Sequence, residues 1–323
     1  MIRHVAARPR ARPNSRTAAR SVTTVGTLGA LQRDARASGA RWGTTVSSYT
    51  KELLQRFGDD CGPADDGLAE LPFVRQVLGR KTVRAYTDAM PSDALLELLC
   101  ATALSASAKS DFQQASILRV LDPAKRTGIG KHFPAMPWIG AAPVFLVFLG
   151  DARRLERIGK LRSKPVANGT LEGFFNATVD AALAMQTFIL AAESAGLGCC
   201  PISVIRNKVD EVAAILGLPD QVFPVAGLCV GYPARAGFVS LRLPRTVTLH
   251  RDVYDDGALA DAVGDYDRRR DAIHSIPKEQ QRSPDEFGVA DFYGWSEDKA
   301  RQAAKPEGAA FPVYLRKHGF TLD

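Results

Sequence analysis

Residues 80–86 read RKTVRAY. Three cations stand in five positions, with a hydroxyl among them and a tyrosine at the end. In an extended segment Arg80, Thr82 and Arg84 fall on one face. Such a row is either a solvated surface strand, the first reading of an isolated basic run, or a set of donors aimed at a bound partner. Other chemistry is missing. GIGKHF (128–133) fails the last position of G-x-G-x-x-G and opens no helix. Lys131 is followed by His132, so no phosphate loop ends there, and no G-x-S-x-G elbow occurs. The five histidines (4, 132, 250, 274, 318) never take H-x-x-x-H spacing, so no metal site is expected and His132 reads as structural. A chain with a substantial core and no nucleophile or metal motif points to a reactive group borrowed from a cofactor.

The elements that must position these residues follow from pattern. SSYTKELLQRFG (47–58) reads as a short helix and DDCGPADDG (59–67) as a loop. Residues 91–107 read as a helix with Ser92 as N-cap and Asp93 in the first turn. SILRVLD (116–122) and APVFLVFLG (142–150) read as strands, the second apolar on both faces and therefore central. The longest helix, 172–198, is apolar on almost every side, with Gly196 or Gly198 as its stop. It is too long for one small neighbour to cover, and a second subunit is the economical cover. A strand (199–205), a helix capped by Asn207 (207–219), a buried strand (222–233) and an extended stretch (238–250) follow. The last ~70 residues are polar with short helices. Helices and strands in mixed order, without regular β-α-β alternation, predict an α+β sandwich with a mostly antiparallel central sheet.

A hydrophobic content of 46% and a charged content of 24% fit a globular chain with a real core. The net charge of +7 is confined to one end. Residues 1–46 hold nine Arg, no Lys and the single acid Asp34, so the remaining 277 residues carry a net −1. A nearly neutral body lacks the footprint of a nucleic-acid binder. The tail has no apolar block after its charges, so it is not a secretory signal; its composition resembles an organellar transit peptide, and equally fits a basic arm or an upstream stretch read through from a misplaced start, and it is expected to be disordered. No window of ~20 apolar residues is found, so no membrane span is expected. The five cysteines (61, 100, 199, 200, 229) form no C-x-x-C, and four lie in apolar surroundings. They read as reduced thiols of a cytoplasmic protein, with Cys199-Cys200 as core packing.

Four blocks then occur in order: GRKTVRAYTD (79–88), AESAGLGCCPISVIRN (192–207), FPVAGLCVGYP (223–233) and SLRLP (240–244). Together they resemble the FMN-dependent nitroreductase superfamily, closest to its branch of NADPH nitroreductases and flavin reductases with a C-terminal extension. YGWSEDKARQ (293–302) and YLRKHGF (314–320) fit that branch. The resemblance covers about 47–323. After the Arg-rich tail (1–46), it implies a flavin-binding core (47–250) and an extension packing on core or partner (251–323). It also implies an interlocked homodimer with FMN at each subunit interface.

The same resemblance implies residue roles. Arg80 would reach the FMN phosphate, with Lys81 beside it, and Thr82 the ribityl hydroxyls. Arg84 would face the N1/C2=O edge, where a cation stabilises the negative charge of the reduced ring. Ser107, Ser110 and Gln113 stand in the loop that meets the partner's flavin. Ile202, Ser203 and Val204 stand in the strand whose amides face N5 and O4. Arg242 keeps a phosphate cation, whereas Ser240 replaces a lysine. Met136 stands where a polar flavin contact is common. Gly308 and Phe292 stand near where relatives carry arginines for the NADPH 2′-phosphate. Phe112 and Trp138 are candidate walls of a substrate pocket. No side chain need act as acid or base, because flavin N5 is the reactive centre. The implied activity passes hydride from NADPH or NADH to a nitroaromatic, quinone or flavin by ping-pong kinetics. The alternative is a non-catalytic flavin- or nucleotide-binding module.

Overall fold

The structure is a computed structural model that describes residues 49–58 and 71–322. The Arg-rich tail, the loop at 59–67 and Cys61 lie outside these residues. The elements in chain order are α1 (Thr50–Phe57), α2 (Pro72–Gly79), α3 (Asp93–Leu104), β1 (Ala115–Arg119), α4 (Pro123–Lys131), α5 (Trp138–Ala141), β2 (Val144–Asp151), α6 (Arg153–Leu161), α7 (Leu171–Ser194), β3 (Gly198–Ile202), α8 (Val209–Leu216), β4 (Val222–Gly231), α9 (Leu259–Ile273), α10 (Pro284–Phe287), α11 (Trp295–Ala303) and α12 (Phe311–Lys317). The strands form one sheet in the order β1-β2-β4-β3. Every pairing is antiparallel, as expected for this α+β class.

The alternation of β2 builds two cores at once. Phe145, Val147 and Leu149 pack with Cys200, Ile202 and Cys229 beneath α4, α5 and α8. Val144, Leu146 and Phe148 pack on the other face with α3 and α7, where Phe148 meets Phe188 edge-on at 6.0 Å. Both faces are covered, so the central strands read as continuous apolar runs. Pro224 lies inside the central strand β4, at the point where the register with β2 slips between Phe148 and Leu149. A bulge there accommodates a residue that cannot donate to the ladder.

Several boundaries match their local chemistry. Ser92 Oγ accepts from Leu95 N at 3.2 Å and caps α3 as expected. Gly196, at φ +79°, ends α7, while Gly198 opens β3. Two expectations need correction. Asn207 does not cap α8. Its Oδ1 accepts from Gly308 N at 2.9 Å, tying the C-terminal segment to the core, and α8 starts after Lys208. The strand expected over 199–205 stops at Ile202, and Ser203–Lys208 turn as a 3₁₀ helix.

Among the described residues one helix, α7, is by length and composition long and apolar enough to cross a bilayer, which corrects only the expectation that no such apolar window exists. In the fold it packs against α3, β1, β2 and β3 and carries the buried Asp180. One stripe stays open: Leu171, Phe175, Val179 and Leu183, at four-residue spacing, are 50%, 60%, 36% and 42% exposed. The C-terminal residues close a third cluster, in which Tyr314, Leu315 and Phe320 pack with Phe223 and with Ala177 and Ala181 of α7. Thr321 N donates to Gly169 O at 2.8 Å.

Candidate functional site

The run RKTVRAY is a strap along the free edge of β3. Thr82 bridges to Cys199 in parallel, and Val83 N donates to Cys199 O at 3.0 Å. Further on, Ala234 N donates to Ala85 O at 3.0 Å and Thr87 N to Tyr232 O at 2.9 Å. An edge strand covered in this way cannot recruit another chain. Burial along the strap does not follow a two-residue alternation: Val83 is buried, Arg80, Thr82 and Ala85 are half-buried, and Lys81 and Arg84, of opposite parity, are both exposed. Gly198 makes this closeness possible, because a Cβ there would lie 2.6 Å from Val83 Cβ. The Tyr86 hydroxyl lies 2.6 Å from Val83 O and 3.2 Å from Cys229 O, and burial drives its pKa far up, so it stays a neutral anchor.

At the start of the strap three guanidinium groups converge. Arg80 Nη2 lies 3.2 Å from Glu193 Oε1 of α7. Arg242 Nη1 donates to Ser240 Oγ at 3.0 Å, and its own side chain is otherwise exposed. Behind them the buried Arg56 of α1 donates to Arg80 O and Ser240 O. Burial, then the charges of Arg242 and Arg80, push the Arg56 pKa down to about 10. Burial also raises the Glu193 carboxyl, against the pull of Arg80. Arg80 Nε and Glu193 Oε2 are buried without a partner among the described residues. Arg80 and Lys81 line a hollow of about 240 Å³ together with Glu193, Val83 and Gly237. Arg80, paired with one carboxylate and keeping a spare N–H, and the exposed Arg242 suit a dianion such as a phosphate ester, with Arg56 as support behind them.

At the other end, Arg84 lies over the Trp138 ring, 5.7 Å from its centroid. Trp138 Nε1 is buried without a partner among the described residues. Burial raises the Cys200 thiol, and the charge of Arg84 opposes that rise. Ile202 is buried at the end of β3, Ser203 is exposed, and Val204 turns its branched side chain onto the core. Met136 also packs on that core. The strap thus brings Arg80, Thr82, Arg84, Ser240, Arg242 and Trp138 along one edge.

The remaining candidates lie elsewhere in the protomer. Ser107 and Gln113 line a hollow of about 700 Å³ with Asp180, Arg154 and Ala184. The loop holds three non-glycine residues at positive φ, Ser110, Asp111 and Gln113. It is anchored by Asp180, whose two carboxylate oxygens accept from Lys109 N and Gln114 N at 2.9 Å each. Phe112 lines a different hollow, with Leu155, Ile158 and Val166. It therefore does not share a wall with Trp138 within one chain. Phe292 is 52% exposed, and Gly308 is engaged with Asn207. Sequence reasoning missed Arg56, Glu193 and Asp180. Glu193 and Asp180 each lie in a recognisable block or helix, but only packing shows what they hold.

A covered antiparallel sheet with an arginine strap on its edge defines an α+β protein with a cationic margin. The profile of the nitroreductase family matches residues 77–232, and that of the nitroreductase family C-terminal domain matches 240–323. An FMN reductase (NADPH) of Bacillus subtilis is 33% identical over 184 residues, covering 56% of this chain and 74% of the relative. An oxygen-insensitive NADPH nitroreductase of Salmonella typhimurium is 34% identical over 184 residues, 57% and 75% of the two chains. Among solved structures, NfrA2 of B. megaterium superposes with a TM-score of 0.71 at 29% identity, covering 79% of this chain and 100% of its own. The NADPH:FMN oxidoreductase from Vibrio harveyi, complexed with NAD+, gives 0.67 at 27% identity, covering 77% and 98%. The chain belongs to the nitroreductase family.

Proposed function

We propose that the protein is an FMN-dependent oxidoreductase that passes hydride from NADPH or NADH to a small acceptor such as a nitroaromatic, a quinone or a free flavin. The observation that carries this reading is that buried Arg56 ties the segment of Arg80, whose guanidinium is paired with Glu193, to the segment of Arg242, so that two further cations stand at neighbouring places on the surface. The names of the relatives, FMN reductase and NADPH nitroreductase, support the same reading. Bound FMN would supply the hydride-accepting and hydride-donating centre, which no side chain here offers. Arg80 and Arg242 hold the phosphate, with Lys81 and Ser240 beside them. Thr82 meets the ribityl chain. Arg84 presents its cation to the ring edge where negative charge develops. The backbone of Ile202, Ser203 and Val204 forms the floor beneath it, with Trp138 as a wall. A single site shared in turn by donor and acceptor would give ping-pong kinetics.

The purified protein should be yellow, absorb near about 450 nm and lose that band on addition of NAD(P)H. Colourless protein that ignores added FMN ends the reading. FMN binding without faster NAD(P)H oxidation in the presence of menadione or nitrofurazone identifies a binding module instead. Arg84→Ala should slow bleaching by NAD(P)H about a hundredfold, measured by anaerobic stopped flow, with FMN affinity changed much less.

The protein is a homodimer in this proposal, and the open stripe on α7 is part of its interface. A stripe of Leu171, Phe175, Val179 and Leu183 on the longest helix is costly to leave in water. The loop carrying Ser107, Ser110, Phe112 and Gln113 then completes the site of the partner. Combining Phe175→Asp with Leu183→Asp should shift the protein to monomer in sedimentation and strip bound flavin with it. A double variant that stays dimeric would place the interface elsewhere. The division into core (47–250) and extension (251–323) belongs to the same proposal. A reducing, cytoplasmic setting is supported by the free thiols of Cys100, Cys199, Cys200 and Cys229.

A further inference from the structure

Arg56 lies upstream of both family matches, and nothing in LLQRFG marks it. Its residue is only 5% exposed. Three of its nitrogens meet three carbonyls on two separate segments. Nε donates to Leu78 O at 2.8 Å, Nη2 to Arg80 O at 2.5 Å and Nη1 to Ser240 O at 3.0 Å. Its own carbonyl accepts from Arg242 N at 2.7 Å. Side chain and backbone together therefore hold the segment carrying Arg80 against the segment carrying Arg242. A planar guanidinium can make such a fork, and an ammonium cannot. The placement is unfavourable on charge alone, since burial and two neighbouring cations lower its pKa to about 10. The three carbonyls compensate for that, and they turn its N–H groups away from any ligand.

We propose that Arg56 is a positioning residue that sets the spacing between Arg80 and Arg242, which makes α1 a working part of the phosphate end of the cofactor site. This rests on the reading that Arg80 and Arg242 receive the FMN phosphate. The test uses the full chain and two ligands that differ only by that phosphate. FMN and riboflavin are titrated against wild type, Arg56→Met, Arg56→Lys and Arg80→Ala by flavin fluorescence, and urea unfolding of the flavin-free proteins reports their folding. Both Arg56 variants should weaken FMN about tenfold or more while leaving riboflavin affinity in place. Lysine keeps the charge but offers a single nitrogen, which cannot stand at the three donor positions that Nε, Nη1 and Nη2 occupy, so it should not rescue. Recovery of FMN affinity in Arg56→Lys would show that charge and not geometry matters, and would overturn the proposal. Equal loss of FMN and riboflavin would overturn it too, by reducing α1 to support for the fold. Should Arg56→Met fail to fold, Arg56→Lys decides alone. The parent reading fails separately: wild type that binds FMN with Arg80→Ala binding it equally well removes the phosphate from this pocket, and the role of Arg56 goes with it.

Discussion

Gly198→Ala will push the strap off the sheet and cost the protein both stability and cofactor. The added Cβ would lie 2.6 Å from Val83 Cβ and Cγ2, well inside the ordinary contact distance of about 3.5–4.0 Å between carbons. Val83 cannot give way by rotating, because its Cβ is itself in the clash and the residue is buried. The backbone must move by about 1 Å, and the bond from Val83 N to Cys199 O must stretch or break. Overpacking of this kind destabilises by about 1–3 kcal/mol. The larger effect falls on the site. Arg80, Thr82 and Arg84 are carried by the same five-residue segment, so all three shift together. A displacement near 1 Å can weaken a positioned contact set about a hundredfold. FMN titration and urea unfolding of the same preparation check both parts. An alanine variant that binds FMN like wild type would mean that the strap does not hold the cofactor.

Asp180→Ala should be the most destabilising polar substitution in the chain. The carboxylate is 2% exposed and receives two backbone N–H groups, from Lys109 and Gln114. Between those two residues lie Ser110, Asp111 and Gln113, all at positive φ. Such conformations are unfavourable for non-glycine residues and persist only where neighbours enforce them. Alanine removes both acceptors, strands Gln114 N in a buried position and releases the loop. A loss of about 3 kcal/mol is expected, read as a fall in the urea midpoint with an unchanged slope. Proteolysis within 105–114 should accelerate in parallel. Asp180→Asn keeps the shape but exchanges one acceptor for a donor, so it should lie between wild type and alanine. If alanine leaves the midpoint unmoved, the loop is held by other contacts.

These two sites show where the sequence was legible. The β2 run APVFLVFLG announced a strand buried on both faces, and the structure places it second in the sheet with alternate residues in two cores. Ser92 announced a helix start through a short-range bond, and it makes that bond. Helix α4 was missed. Its start, Asp122 accepting from Ala124 N with Pro123 next, is local and was readable, but the two glycines in GIGK obscured the helical pattern. The end of β3 was misplaced because ISVI has strand composition, yet residues 203–208 must turn to lead into α8.

By itself the sequence determined whatever depends on neighbours within about four positions: the apolar strands and the capping of α3. The ordered blocks from 79 to 244 carried the family. Tertiary structure decided which distant groups meet. Arg56 and Ser240 are 184 positions apart, and Gln114 and Asp180 are 66 apart. No period or composition encodes such a pairing, because a hydrogen bond is specified by where two atoms come to rest, and chain folding brings them there only after the cores on both faces of the sheet have closed.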